Sequence, residues 1–238
     1  MRIRVVGRGR AGGSFATAAT RVGIDVDLLP GTTTAIQSDD VDLVLLCVPD
    51  DSISAVADRV LAGPAVIAHC AGSRDLGVLG QHQKRASIHP LMSLPDRAIG
   101  ADRLLDHCTF AIAGDPLAGA FVARLGGRSI EVADTDRAVY HAAACVAANH
   151  LVVLCAQVER LADLVGVPVD AYWTMMRHSL ANVERQGARS ALTGPAARGD
   201  VATIAAHLDA LPEDERSPYS ALADAARALA SSSDLGDC

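Results

Sequence analysis

The sequence predicts an α/β fold: an N-terminal doubly wound parallel sheet followed by an all-helical C-terminal region. Three observations carry this. Short β-branched runs alternate with helix-length stretches from residue 2 to about 132, the pattern of βαβ units. The strongest run, VDLVLLCV at 41–48, is almost continuously apolar, as a strand covered by helices on both faces must be. Beyond about Ala133 the strand-like runs stop and helix-period segments follow one another. The expected division is a sheet domain over 1–133 and a helical domain over 134–238.

Taken in order, Ile3-Arg4-Val5-Val6 reads as a buried strand bounded by glycine. A helix begins near Ala11 and runs to Gly23. The strand IDVDLL (24–29) follows, then the loop Pro30-Gly31-Thr32-Thr33-Thr34. The 41–48 strand ends at Pro49, and Asp50 or Asp51 is placed to cap the helix SISAVADRVL. AVIAH (65–69) is a further strand, and shorter ones fit 86–89 and 109–113. Gly114-Asp115-Pro116 signals the start of the helix LAGAFVARLGG, and SIEV (129–132) closes a mostly parallel sheet. Asp134 or Thr135 then caps a long helix ending at Gly166, with Pro168 just beyond. That helix is apolar nearly all round, which predicts the buried centre of the second domain. Further helices fit 169–186, 201–211 and 219–230, and the tail SSSDLGDC is expected to fray.

The 238 residues carry a net charge of −7 with no basic cluster, which argues against nucleic acid or an anionic membrane surface as partner. No apolar run reads as long enough to span a bilayer, and the chain enters a strand at once, so the expected location is the cytoplasm. Cys47, Cys70, Cys108, Cys145, Cys155 and Cys238 show no C-x-x-C and no zinc spacing. They read as free thiols, with no metal site.

The first candidate site follows the first strand. Gly7, Gly9 and Gly12 form G-x-G-x-x-G at a strand-to-helix turn. Gly7 makes the turn, Gly9 admits a pyrophosphate to the backbone, and Gly12 lets the helix pack on the sheet, with helix N–H groups facing the anion. The tip of the second strand carries no acid. Thr32 to Thr34 follow it, and Arg8 and Arg10 flank the glycines, a set that suits a 2′-phosphate and therefore NADP rather than NAD. The expected cofactor contacts are Gly7, Arg8, Gly9, Arg10, Ala11, Gly12 and Thr32, together with the strand ends Val48, Pro49 and Ala71, where ligands of open parallel sheets bind.

Other candidates lie further along. Gly72-Ser73 at a strand end offers close backbone approach and a hydroxyl for substrate. His89, followed by Pro90 at another strand end, suits proton transfer near neutral pH, with His69 as fallback. His141, Cys145 and Asn149 share one face of the long helix at i, i+4, i+8. His141 and Asn149 are polar groups in an apolar helix that must find partners, either in the core or on a substrate. Thr193-Gly194-Pro195-Ala196-Ala197-Arg198-Gly199-Asp200 is a shaped loop in which Thr193 and Arg198 are candidate substrate contacts, Arg198 for a carboxylate, while Asp200 caps the next helix.

With these residues assembled, GRGRAGGSFA, CVPDDSI, HCAGS, HPLMSL, AANHLVVL and LTGPAARGD resemble, in order, the blocks of a family that joins a Rossmann-like NADP-binding domain to a C-terminal helical domain of unknown function. The resemblance spans nearly the whole chain. It implies a plan similar to ketopantoate reductases, 3-hydroxyisobutyrate dehydrogenases and pyrroline-carboxylate reductases. In the hydroxy-acid branch a catalytic lysine precedes a helix asparagine by four residues. Asn149 matches the asparagine, but Cys145 stands at the lysine position, so that acid is missing here. His89-Pro90 resembles instead the His-Pro of prephenate dehydrogenases.

The function implied is an NADP-dependent reductase of a small 2-oxo acid, ketopantoate being the best single guess. His89 would be its proton donor, with Asn149 or His141 as partner, in a homodimer. The missing lysine keeps two alternatives open: a non-catalytic NADP-binding sensor or scaffold, and a reductase of another substrate such as a cyclic imine.

Overall fold

A computed structural model describes residues 1–232. Contacts divide the chain into two compact units, one over Met1–His150 and one that starts at Leu151. The first contains β1 (Arg2–Val6), α1 (Arg10–Arg21), β2 (Asp25–Leu29), β3 (Leu43–Leu46), α2 (Ile53–Ala57), β4 (Val66–His69), β5 (Arg85–Pro90), α3 (Arg97–Leu105), β6 (Thr109–Gly114), α4 (Leu117–Arg124), β7 (Arg128–Glu131) and α5 (Arg137–Cys145).

The strands form one seven-stranded sheet in the order β2-β1-β3-β4-β5-β6-β7. The order reverses at β1, so the carboxyl ends of β1 and β3 flank a switch-point crevice. Pairing is parallel from β2 through β5. β6 departs from the expectation of a parallel sheet and runs antiparallel to β5, with Pro90 opposite Phe110. The Leu91 N–H donates to the Thr109 carbonyl (2.8 Å), so the chain re-enters the sheet at the end where it left.

Alternation along the strands builds a core on each face. Ile3, Val5, Leu43 and Leu45 join Phe15, Phe110 and Phe121 on one side. Val6, Val44 and Leu46 join Ile53, Val56 and Leu79 on the other. The sequence pattern missed α3, because its contact with α1 is made by small groups rather than an apolar stripe. A Cβ on Gly13 would press on Arg97 at 3.2 Å, and Gly100 lies over Ser14. Asp96 caps α3 by accepting from the Ala98 and Ile99 N–H groups (2.8 and 2.9 Å).

The expected aspartate cap before α2 is not made. Asp50 and Asp51 form a 3-10 turn with Ser52, no side chain bonds the helix start, and Asp50 accepts from Ser73 instead. A 3-10 turn (Asp134–Asp136) precedes α5, and a π-helical turn, Val146–His150, follows it.

The second unit is helical: α6 (Leu151–Leu164), α7 (Val169–Ala191), α8 (Pro195–Arg198), α9 (Val201–Ala210) and α10 (Glu213–Ser231). α7 is broken at Gly187, whose φ of +79° a side chain would resist. Asp200 caps α9 as expected, accepting from the Thr203 N–H (3.0 Å). The expected frayed tail lies, for residues 233–238 including Cys238, outside the described residues.

Two expectations about the long helix need correction. It is not buried: Val139, Val152 and Val153 are 75%, 67% and 64% exposed, and Ala162 is the buried residue of α6. Nor is its apolar run too short. By length and composition Asp134–Leu164, with a mean hydropathy of 1.6, is the one helix among the described residues that could cross a membrane. Single polar residues such as His141, Asn149 and Gln157 break the run to the eye without lowering its average much.

Candidate functional site

The glycine turn is built as its residue types require. The Gly7 N–H donates to the Leu29 carbonyl (2.8 Å), and Gly7 sits at φ +117°, where a Cβ would strike the Cys47 backbone. A Cβ on Gly12 would strike the Gly7 carbonyl, so α1 can approach only as glycine. Gly9 faces open space, which leaves its backbone free for a ligand. Gly9, Arg10, Ala11, Val48, Pro49 and Ala71 line one cleft of about 650 Å³ together with Asp50, Leu94 and Asn149. The backbone turn, the start of α1 and the strand ends thus form a cradle that fits a dinucleotide.

At the tip of β2, Arg8 is exposed and donates to the Leu28 carbonyl (3.2 Å), and Thr32, in the loop that follows β2, is exposed as well. Arg59, which the sequence did not single out, donates to the Thr33 carbonyl (3.0 Å) and shapes this loop. Asp27 is not available to a ribose, because Arg4 donates to it at 2.8 Å and also pairs with Asp40.

A second cavity of about 600 Å³ lies at the end of β5. His89, Pro90, Met92, Ser93, Tyr140, His141, Cys145 and Asn149 line it. Ser93 and Asn149 border both cavities. Asn149 reaches this place from the π-helical turn, an irregularity that frequently marks functional positions in helices.

His89 Nδ1 and the Tyr140 hydroxyl share a hydrogen bond of 2.7 Å, with the rings edge to face. The His141 ring lies 5.9 Å from that of His89, and its Nδ1 is 3.8 Å from Cys145 Sγ. Gly72 closes over the pair: a Cβ there would come within 2.5 Å of His141 and 2.8 Å of His89 Nε2. Burial, then the neighbouring His141 and Arg137, holds the His89 pKa at about 4. It is therefore a neutral imidazole at pH 7. Burial also raises the Tyr140 hydroxyl, which stays protonated there.

His69 proves structural. It is fully buried, its Nδ1 accepts from the Ala71 N–H (3.2 Å), and its Nε2 bonds the Asp75 carbonyl (3.2 Å). Ser73 is exposed and donates to Asp50 (3.0 Å). Thr193 and Arg198 belong to the second unit, Arg198 at the end of α8. Among the described residues no group of three or more His, Cys, Asp or Glu could hold a metal ion.

Sequence reading missed Tyr140 and Arg137. Arg137 is 1% exposed, its Nε donates to Asp134 (3.2 Å), and both its Nη groups are buried without a partner. Only its place one turn before His141 could have drawn attention to it.

Among solved structures, a Bacteroides fragilis protein provisionally named an NADP oxidoreductase is similar, with 20% identity and a TM-score of 0.80, covering 95% of this chain and 98% of that one. A Thermotoga maritima protein shows 22% identity and a TM-score of 0.73, covering 96% and 98%. The pyrroline carboxylate reductase of Plasmodium falciparum, solved with NADP bound, shows 12% identity and a TM-score of 0.63, covering 97% and 98%. These are likenesses of fold. No curated protein matches the sequence. Residues 108–226, half of the chain, match the model of the domain of unknown function DUF2520, and the chain belongs to that family.

Proposed function

We propose that this protein is an NADP-dependent oxidoreductase that reduces a small 2-oxo acid, ketopantoate being the first substrate to try. The observation that carries the reading is the sharing of Ser93 and Asn149 by the glycine-turn cleft and the histidine cavity. Gly7 to Gly12, Val48, Pro49 and Ala71 would hold the dinucleotide, with Arg8 and Thr32 toward a 2′-phosphate. When bound, NADPH supplies the hydride. The protein's task is to bind the carbonyl oxygen and give it a proton.

A neutral His89 does this with Tyr140. The phenol donates to Nδ1, which leaves the proton on Nε2 and makes Nε2–H the donor to the substrate oxygen. As negative charge grows there, the Nε2 proton moves to the oxygen, the Tyr140 proton moves to Nδ1, and the phenol regains its proton from solvent before the next turnover. Asn149 supplies a neutral hydrogen bond, and the His141 ring walls the same space. Gly72 keeps that space open. The apolar surface of Asp134–Leu164 supports a homodimer in which a second copy covers it.

The test is oxidation of NADPH, followed by absorbance, with a panel of 2-oxo acids and cyclic imines. Turnover of an oxo acid is expected. His89→Ala should lower it by about 100- to 10,000-fold while NADPH still binds. Wild-type turnover in that variant would remove His89 from the mechanism. Turnover of imines alone would change the substrate class.

A further inference from the structure

The most unusual feature near the site is a buried cation bound along one edge only. Arg137 opens α5, is 1% exposed, and carries two Nη groups with no partner. Its neighbourhood explains why it stays there. Asp134 grips Nε with one carboxylate oxygen, and its other oxygen accepts from the Leu76 N–H (3.3 Å). Asp134 is thus tied to the loop that follows β4, and the guanidinium is held by one edge with its forked end free.

Other groups mark where that end lies. Arg137 shares the face of α5 that carries Tyr140 and His141, three and four residues further on, and both of those line the histidine cavity; its charge is felt at His69, His89 and Tyr140. Ser87 lies two residues before His89, on the same face of β5, and pairs in register with His69. It is fully buried, and its hydroxyl also lacks a partner. His69 offers nothing, since both its ring nitrogens are engaged. The Arg137 Nη groups and the Ser87 hydroxyl are thus buried polar groups still without partners. Buried guanidinium N–H groups left without acceptors are costly, which favours an acceptor brought in by a ligand.

We propose that Arg137 is the anion anchor of the cleft: its free guanidinium fork takes the carboxylate of a small 2-oxo acid, with the Ser87 hydroxyl as auxiliary donor. A planar fork and a carboxylate match in two parallel hydrogen bonds, which suits a ligand whose reactive carbonyl is next to its carboxylate. The anchor and the His89–Tyr140 pair would then grip adjacent groups of one molecule. The inference rests on the oxo-acid reading for the identity of the carboxylate, but its test does not need turnover.

The test uses the full chain saturated with NADPH and two unreactive probes, oxamate and its uncharged counterpart oxamide. Oxamate should raise the melting temperature and give a calorimetric binding curve, and oxamide should do neither. Arg137→Met keeps the bulk and removes the charge, so it should weaken oxamate about 10- to 100-fold. Arg137→Lys keeps the charge without the fork, should weaken oxamate about tenfold, and decides the matter if the methionine variant does not fold. Equal response to the two probes, or wild-type oxamate affinity in either variant, overturns the anchor. Arg137-dependent oxamate binding in a protein that reduces no oxo acid upholds the anchor and overturns the reaction. Oxo-acid turnover with an unchanged Michaelis constant in Arg137→Met does the reverse.

Discussion

The two compact units differ in what they hide. The sheet unit covers both faces of its sheet, and Ile3, Val5, Leu43, Leu45, Phe15 and Phe110 are wholly buried. In the second unit the buried apolar residues, among those described, are Ala162 and Ile204. The one buried charge among its described residues, Glu215, is paired with Arg160 and accepts from Gln157 (3.0 Å). Val201, Leu164 and Met175 stand more than 60% exposed. The first unit carries its own core. The second presents apolar side chains to solvent, Val201, Leu164 and Met175 among them, which the proposed second copy would cover. The candidate chemistry is built where the packing is complete, and the surface left bare is where a second copy would sit.

The largest expected effect breaks that contrast directly. The protein should sediment as a dimer at micromolar concentration. Val152→Asp with Val153→Asp, on a face that is open in the single chain, should raise the dimer dissociation constant by about 10,000-fold or more, since the dimer loses two valines from each copy at roughly 1.5 kcal/mol or more apiece. A wild-type monomer would refute the pairing. A monomer that instead partitions into lipid vesicles would assign the apolar helix to a membrane.

Next come two truncations, one in each unit. Phe15→Ala removes a ring packed between Phe110 and Phe121, at centroid distances of 6.3 and 6.2 Å, and should cost about 3–5 kcal/mol in urea unfolding. Leu164→Ala, 63% exposed, should stay within about 0.5 kcal/mol at concentrations where the chain is monomeric. Similar costs for the two would erase the difference between the units. Somewhat smaller is the response to cofactor: NADPH at about 100 times its dissociation constant should add about 2.7 kcal/mol. Slowed hydrogen exchange should centre on Gly7 to Gly12 in the first unit, and NADH should do less. Equal protection by the two would refute the phosphate role of Arg8 and Thr32.

The sequence reveals those parts whose physics is local. A run such as VDLVLLCV has few conformations that bury it, so β3 and its neighbours are legible, and so is the glycine turn that must follow β1. The antiparallel entry of β6 is not, because direction depends on where a loop lands. α3 escapes notice because Gly13, Ser14 and Gly100 make its contact without an apolar stripe. His89 and Asn149 are legible as residues that need partners. Tyr140 and Arg137 are not, since only the fold shows that one hydroxyl meets Nδ1 and that Arg137 lies buried with its Nη groups unpartnered. The long helix reads as a core helix because its apolar content is real, but sequence alone does not say which molecule supplies the other side.

The smallest effect is a slope in pH, and it belongs to the sheet unit. His69 is held at about 4 by burial and then by Arg137, and His89 at about 4 by burial, His141 and Arg137. In the unfolded chain each titrates near 6.5. Between about pH 4 and 6.5 the unfolded chain therefore binds a proton at each site that the folded chain refuses. Stability must rise with pH across that window. The contribution is complete above about pH 6.5 and is lost as pH falls toward 4. Each histidine adds at most about 1.4 kcal/mol per pH unit to the slope. His69→Gln removes one such share, while its amide can still accept from Ala71 and donate to Asp75. Urea unfolding from pH 4.5 to 7 should show a slope lower by up to that amount in the variant. An unchanged slope would mean that His69 titrates alike in both states, and the packing that this account places around β4 would then be wrong.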